Sequence, residues 1–210
     1  MKKDNKNNQE LSFYNDFIKI KNVEDIPKKK GCYIIRIIDG VKMHQKYRFE
    51  KNILSNRVIY VGLGGKEKTK ATIKSRFSIH KQDSGTPSSS FRRSISAALM
   101  VEKQLKPFLN DKDKIDHEKK ERTIITDFIK HNCECRFIRL KDNINFDTAE
   151  KLEEYLIEDL KPTLNCKDNH DKEHNEYFDD ISELRREQRK EASSIKYMIM
   201  IQILFWLKLI

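Results

Sequence analysis

The sequence predicts an α+β fold in which short strands are interspersed with helices. The segments GCYIIRIID (31–39) and RVIYVG (57–62) are rich in β-branched and aromatic residues and end at turn residues, as strands do. A third segment, CECRFIRL (133–140), alternates with the period of two that is typical of a strand. Segments with helical periodicity separate the second strand from the third and follow the third. The turn-rich link between the first two strands predicts a hairpin with a lengthened connection.

Helices are expected at four places between the second strand and the C-terminal region. The predicted helices span about 69–82, 91–105, 121–132 and 147–160. Pro107 and Pro162 end the second and the fourth, since proline cannot continue a helix. Asp147 is the predicted N-cap of the fourth. The charged segment 110–121 is expected to be a solvated loop or a helix edge.

Composition and charge limit the classes of function. Of the 210 residues 37% are hydrophobic and 36% charged, yet 11 Phe and 7 Tyr can still build a core, which excludes wholesale disorder. The formal net charge of +10 favours nucleic acid or an anionic membrane surface as partner. The first ten residues, MKKDNKNNQE, lack the apolar run of a secretory signal. We therefore expect a cytoplasmic protein whose four cysteines form no disulfides.

Three regions are expected along the chain: an N-terminal extension (1–30), a main domain (31–170) and a helical C-terminal extension (171–210). The C-terminal extension is highly charged at first and then strongly apolar in IKYMIMIQILFWLKLI (195–210). A membrane span needs about 20 apolar residues, and this shorter run is interrupted by Gln202 and Lys208. The alternatives are a packed or dimer-forming helix, an interfacial anchor, and a segment read out of frame. We prefer the first and expect no membrane contact.

Two charged residues lie on the apolar stripe of the first predicted helix. Arg76 and His80 share the face of Ile73 and Phe77, at positions i, i+3, i+4 and i+7. A charge on a core-facing stripe costs free energy unless it is paired or used. The alternative is an arginine whose stem reaches water beside a hydrogen-bonded core histidine.

A carboxylate interrupts the apolar side of the fourth predicted helix. At about 100° per residue, that side is formed by Leu152, Leu156, Ile157 and Leu160. Glu153 falls inside this arc, and Glu150 lies nearer its rim. A carboxylate among leucines is a candidate metal ligand or acid–base group, with a buried ion pair as the alternative.

These residues occur in a recognisable order. The order is Gly31-Cys32-Tyr33, Tyr60-Val61-Gly62, Arg76 with His80 four residues on, and Glu153 followed by Leu156-Ile157, Pro162 and Asn165. Over roughly residues 31–165 the set resembles the GIY-YIG nuclease family. Cys32 and Val61 replace the middle isoleucines of the two tripeptides. The link between the two tyrosines is much longer than in compact members, and its basic, aromatic part 41–56 is expected to contact DNA.

The resemblance implies a small three-stranded antiparallel sheet flanked by helices. It also implies a metal-dependent endonuclease that hydrolyses phosphodiester bonds of DNA. One divalent ion would be held by Glu153: Mg²⁺, with Mn²⁺ as a substitute, because Mg²⁺ takes one or two carboxylates plus water and phosphate oxygens. No organic cofactor is implied.

The resemblance also implies a role for each remaining residue of the set. Tyr33 would be the general base on the attacking water, with its pKa lowered by neighbouring cations. Arg76 would neutralise charge in the transition state. Tyr60 would hold the water or the phosphate, and Asn165 the local backbone or the phosphate. His80 would accept the proton from Tyr33.

Basic residues surround these motifs and predict contacts to nucleic acid. They are Lys66, Lys68, Lys70, Lys74, Arg92 and Arg93. For any single lysine a solvated surface is the alternative, whereas the set beside a phosphodiester site favours nucleic acid. The serine-rich loop 88–90 suits phosphate contact.

A restriction-type enzyme is the preferred interpretation, because no DNA-binding repeats follow Asn165. Specificity would then come from 41–56 and 83–121, and cleavage of both strands would need a homodimer. The alternatives are a structure-selective repair nuclease and a non-catalytic nucleic-acid-binding module of the same fold.

Overall fold

The computed structural model describes residues 17–38, 58–100, 103–140, 146–165 and 178–208. The strands are β1 (Ile18–Lys19), β2 (Gly31–Ile37), β3 (Val58–Leu63), β4 (Phe108–Leu109), β5 (Ile115–Asp116) and β6 (Cys133–Arg139). Four of them form an antiparallel sheet in the order β1-β6-β2-β3, and β4 pairs with β5 separately. The predicted α+β class and antiparallel sheet are confirmed. The two-residue β1 adds a fourth strand to the predicted three.

The described helices correspond to the four predicted segments, with one long helix after them. They are α1 (Ile73–Phe77), α2 (Ser90–Leu99), α3 (Lys119–Asn132), α4 (Ala149–Leu160) and α5 (Phe178–Lys208). Short 3₁₀ turns cover Ile20–Asn22, Ser78–Lys81 and Asp83–Ser88.

Three predicted helices have boundaries that differ from the expected ones. The second was expected to run to about 105, but α2 ends at Leu99, well before Pro107. The first helix was expected over about 69–82, but Thr72 caps it in a reciprocal capping box with Ser75, and it passes into a 3₁₀ turn after Phe77. The fourth helix is capped by Thr148, whose hydroxyl accepts from the backbone N–H of Lys151 at 3.2 Å, and not by Asp147.

Only the centre of the charged segment 110–121 differs from the expected solvated loop or helix edge, since residues 111–114 and 118–120 are exposed. It contains β5, and Ile115, Asp116 and His117 are buried. Its buried polar groups have partners, because Asp116 pairs with Arg122 and His117 with Glu121. The many charged residues of the segment predicted that it is exposed to solvent. The two ion pairs allow Asp116 and His117 to be buried nevertheless.

The sheet separates two apolar layers. Alternate residues of β2 point to opposite faces: Cys32 and Ile34 pack with the leucines of α4, while Ile35 and Ile37 join the core formed with α1, α2 and α3. Each fully buried Leu or Ile in such a layer contributes about 1.5–3 kcal/mol. Helix α4 is thereby fixed against one face of β2 and β3.

The first half of α5 is anchored to the domain. Leu184, Gln188 and Ala192, spaced four residues apart, are buried, and the Gln188 amide donates to Ser96 Oγ at 2.7 Å. The large apolar side chains exposed farther along α5 are Tyr197, Met198, Met200, Ile201, Ile203 and Phe205. Among the described helices, none combines the length and apolar character that crossing a membrane requires.

Some predictions concern residues outside the described ranges. They include the insertion 41–56, most of the N-terminal extension and Cys166. The three described cysteines, Cys32, Cys133 and Cys135, are buried free thiols.

Candidate active site

The ring of Tyr33 lies directly on a glycine of the neighbouring strand. Tyr33 in β2 is opposite Gly62 in β3, and a Cβ on Gly62 would lie 2.1 Å from Cζ of the tyrosine. No side chain fits at that distance. The glycine of the second tripeptide therefore provides the surface on which the tyrosine of the first tripeptide lies.

Tyr33 is hydrogen-bonded to His80 inside the protein. The tyrosine hydroxyl lies 2.7 Å from His80 Nε2, and the two residues are only 3% and 4% exposed. The other ring nitrogen of the histidine, Nδ1, lies 3.0 Å from Ser89 Oγ. Both nitrogens of the imidazole are thus engaged, which fixes the orientation of the ring toward Tyr33.

The Ser89 hydroxyl is compatible with either direction of this chain of bonds. As the N-cap of α2, its oxygen already accepts from the backbone N–H of Arg92 at 3.1 Å. It can also accept from His80 Nδ1–H, which leaves Nε2 to accept from the Tyr33 hydroxyl. In the opposite tautomer Ser89 donates to Nδ1 and Nε2–H donates to the tyrosine oxygen. That arrangement satisfies the same distances, because heavy-atom distances do not fix the position of the proton. The first arrangement leaves the lone pairs of the tyrosine oxygen free for a water molecule.

Burial keeps both partners of this hydrogen bond uncharged. Burial lowers the pKa of His80 to about 3, with smaller contributions from the positive charges of Arg92 and Arg76. The pKa of Tyr33 is raised well above its usual value of 10, first by burial and then by Tyr60. Arg76 lowers the pKa of Tyr33, the effect expected of neighbouring cations, but burial outweighs it.

Tyr60 and Arg76 lie beside the pair. Tyr60 is half-buried, its ring centroid is 6.3 Å from that of Tyr33, and its hydroxyl lies 2.9 Å from Ser90 Oγ. Arg76 is exposed, which agrees with the alternative of an arginine that reaches water beside a hydrogen-bonded core histidine: Ile73, Phe77 and His80 turn inward while Arg76 faces solvent. Its charge nevertheless acts on Tyr33 and His80.

Glu153 lies near the tyrosine from the opposite side of the sheet. It is half-buried on α4, whereas Glu154 and Glu158 are exposed, as the helical periodicity predicts. Its negative charge raises the pKa of both Cys32 and Tyr33, so the carboxylate is within electrostatic reach of both.

A second carboxylate on α4 has an unsatisfied oxygen. Glu150, one turn before Glu153, accepts from the backbone N–H of Glu67 through Oε1 at 3.3 Å. Its Oε2 is buried and has no hydrogen-bond partner among the described residues. Both carboxylates act on the Cys32 thiol. Two neighbouring carboxylates, one with a buried free oxygen, fit a divalent cation that prefers oxygen ligands.

A family model described as the GIY-YIG catalytic domain matches residues 31–187. The chain belongs to the GIY-YIG family. This membership indicates a nuclease-type function, that of a DNA-binding hydrolase. No curated protein and no solved structure matches the chain.

Of the GIY-YIG residues predicted from the sequence, Asn165 contacts the backbone of the second tripeptide. Its side-chain amide makes two hydrogen bonds to the backbone of one residue of β3: Oδ1 accepts from the Val61 N–H at 2.9 Å, and Nδ2 donates to the Val61 carbonyl at 2.8 Å. Because β3 is an edge strand, these bonds satisfy backbone groups that the sheet leaves open. The structure thus favours the local backbone as its contact.

The predicted nucleic-acid contact by Arg92 is wrong. The residue is fully buried, and its guanidinium donates to the His80 carbonyl at 2.8 Å and to Thr126 Oγ1 at 2.9 Å. Arg92 therefore holds the backbone of His80 from inside the protein and does not face nucleic acid. Arg93, one residue on, is rotated by about 100° on the helix, is half-buried and donates to the Pro87 carbonyl at 2.8 Å.

The lysines predicted to contact nucleic acid face solvent. Lys66, Lys68, Lys70 and Lys74 are all exposed in the segment between β3 and Arg76. Ser89 belongs to the serine-rich loop predicted to contact phosphate, but it is buried and its hydroxyl orients His80. Its N-cap position is visible in the sequence, but its contact with His80 is tertiary and is not.

Proposed function

We propose that this GIY-YIG domain is a Mg²⁺-dependent DNA endonuclease of restriction type, acting in the cytoplasm. The observation that supports this most is the hydrogen bond between Tyr33 and His80, with the exposed Arg76 and the carboxylate of Glu153 both within electrostatic reach of Tyr33. A general base, a proton acceptor, a cation for the phosphate and a metal ligand are thus adjacent.

Glu153, with Glu150 beside it, would hold the divalent ion. Mg²⁺ suits this donor set, because it binds one or two carboxylates and completes its shell with water and phosphate oxygens. When bound, the ion supplies stabilisation of the negative charge that develops on the scissile phosphate.

Tyr33 and His80 act on the attacking water as a relay. A lone pair of the tyrosine oxygen accepts the proton from the water as the tyrosine passes its own proton to His80 Nε2. The concerted transfer avoids a free tyrosinate, which the raised pKa of Tyr33 disfavours. The negative charge of a bound phosphodiester raises the pKa of His80, so substrate binding makes the histidine a better base.

Arg76 and Tyr60 position the phosphate. The exposed guanidinium of Arg76 offers the paired N–H donors that match phosphate oxygens, and its charge opposes that of the transition state. The hydroxyl of Tyr60, held by Ser90, adds a neutral donor on the other side of Tyr33.

The restriction-type assignment includes a homodimer, because cutting both strands takes two active sites. The exposed apolar side chains of α5 between Tyr197 and Phe205 support self-association. Specificity is assigned to 41–56 and to 83–121.

Cleavage of plasmid and linear DNA in Mg²⁺ or EDTA tests the function. We expect discrete fragments in Mg²⁺ only, without accumulation of nicked plasmid. Arg76→Ala should slow cleavage by roughly 10²–10³-fold, and Glu153→Gln should abolish it. Glu154→Gln, an exposed carboxylate on the same helix, is the matched control and should cleave normally.

The other outcomes distinguish the alternatives. Nicks or a smear that depend on Mg²⁺ and Glu153 would replace the restriction type with a structure-selective nuclease. DNA binding without any cleavage, equal in the parent and in Glu153→Gln, would contradict catalysis and leave a binding module.

A further inference from the structure

A basic cleft lies between α5 and the β4–β5 hairpin, and neither Tyr33 nor Tyr60 lines it. Its volume is about 980 Å³. The cationic residues that line it are Arg93, Lys114, Arg185, Arg186, Arg189 and Lys190. Asp113 is its one acidic lining residue, and its carboxylate is already paired with Lys196 at 2.7 Å. Arg186 is itself paired with Glu183 at 3.3 Å, so the net positive charge of the cleft comes mainly from the other five cations.

The charge follows from the periodicity of α5. Arg185 and Arg189, four residues apart, flank the buried stripe of Leu184 and Gln188 on one side, while Glu183 and Glu187 flank it on the other. Docking of the buried stripe thus turns the arginine edge into the cleft. The Gln188 bond to Ser96 holds this orientation.

The cleft is continuous with the active site through α2. Ser90, which binds the Tyr60 hydroxyl, and Arg93 are three residues apart and share one face of α2. Arg93 lines the cleft and is close enough to both Tyr60 and Arg185 for their charges to shift its pKa. A polyanion bound at Tyr60 would meet Arg93 first and the α5 arginines next.

We propose that this cleft binds the sugar–phosphate backbone of duplex DNA where the duplex leaves the active site. The inference rests on the proposed function, because it takes the scissile phosphate to lie beside Tyr60. The occupant follows from charge complementarity and continuity: a row of fixed cations leading from a phosphodiester site matches a regularly spaced polyanion.

Binding of the full-length chain to duplex DNA in EDTA, followed by fluorescence anisotropy over a range of salt, tests the cleft separately from cleavage. The variant is Arg185→Gln/Lys190→Gln, because no described acceptor or carboxylate holds either side chain. We expect roughly tenfold weaker binding at moderate salt. The slope of log Kobs against log salt should become shallower by about 1.8, which is about 0.9 for each lost phosphate contact.

The matched control is Lys19→Gln/Lys21→Gln, which removes the same number of positive charges. Lys19 lies on β1, at the edge of the sheet opposite β3, the strand that carries Tyr60. We expect its affinity and salt slope to equal those of the parent. If the two double variants lost DNA affinity equally, the loss would come from the change in net charge and not from the cleft. That result would overturn the proposal. So would an unchanged slope in Arg185→Gln/Lys190→Gln, provided that its urea midpoint matches the parent. Tighter binding of duplex RNA with the same dependence would overturn the assignment to DNA.

The two failures are distinguishable. If the parent cleaves DNA and Arg185→Gln/Lys190→Gln binds like the parent, the cleft proposal fails while the nuclease stands. If the parent binds DNA through the cleft without cleaving it in Mg²⁺, the proposed catalysis fails while the cleft stands.

Discussion

His80 is a buried, neutral histidine with hydrogen bonds at both ring nitrogens. Either feature alone describes a structural residue. Its partner, however, is the hydroxyl of a tyrosine whose ring packs beside those of Tyr60 and Phe77. The charge of the solvent-exposed Arg76 also acts on this tyrosine. A proton accepted by Nε2 is what the proposed relay requires, and Ser89 orients the ring for it.

Burial of His80 predicts a loss of folding stability in acid. The unfolded chain protonates this histidine near its ordinary pKa of 6.5, whereas the folded chain does so only near 3. The stabilisation is present above about pH 6.5 and is lost as the pH falls toward 3. By pH 5 the loss in free energy of unfolding is about 2 kcal/mol. Urea unfolding above pH 6.5 and at pH 5 should show this decrease.

His80→Gln is the comparison for this prediction. It should reduce the pH dependence, whatever its effect on absolute stability. His117, whose pKa is also lowered mainly by burial, contributes in the same direction and remains in both proteins. Identical pH dependence in the parent and in His80→Gln would contradict the assignment of the titrating group.

At the scale of elements, the two tripeptides are explained by one strand pair. Register between β2 and β3 brings Tyr33 over Gly62, and β6 places Phe137 on the other side of Tyr33. Gly31, at the start of β2, has φ +151, and a Cβ there would lie 2.0 Å from the Ile138 carbonyl oxygen. Gly31 is therefore required by the close approach of the β6 backbone, and Gly62 by the close approach of the Tyr33 ring.

Gly62→Ala should displace the Tyr33 ring and break its bond to His80. We expect cleavage to fall by roughly 10²-fold, as for misplacement of a reacting group, with the protein still folded. Single-turnover cleavage and circular dichroism measure the two effects. Full activity of Gly62→Ala would show that catalysis does not need the contact between the Tyr33 ring and Gly62.

Elements with strong local signals were predictable from the sequence, and those defined by tertiary contacts were not. The three long strands and α4, including the half-buried position of Glu153, follow from periodicity. Strands β1, β4 and β5 have two residues each, too few for a period to show. Arg92 and Arg93 are alike in sequence, and only the docking of α2 decides that the first is buried. For the same reason the sequence marks Glu150 only as a weaker candidate than Glu153 and does not show that Ser89 contacts His80.

At the scale of the whole molecule, the site lies where two layers meet. Tyr33, Tyr60 and His80 belong to the layer of α1 to α3, whereas Glu150 and Glu153 come from α4 on the other face. Helix α5 adds the basic cleft to the first layer. The net charge of +10 is thereby concentrated in part along a path that leads to the tyrosines.

The central claim is that the hydroxyl of Tyr33 acts on the attacking water. Single-turnover cleavage of DNA by Tyr33→Phe in Mg²⁺ tests it most directly, because phenylalanine keeps the ring on Gly62 and removes only the reacting oxygen. Tyr155→Phe, at an exposed tyrosine of α4, is the matched control. We predict that Tyr33→Phe is slower by about 10²–10⁴-fold, with DNA affinity in EDTA unchanged and Tyr155→Phe as fast as the parent. Cleavage by Tyr33→Phe at the parental rate would contradict the account.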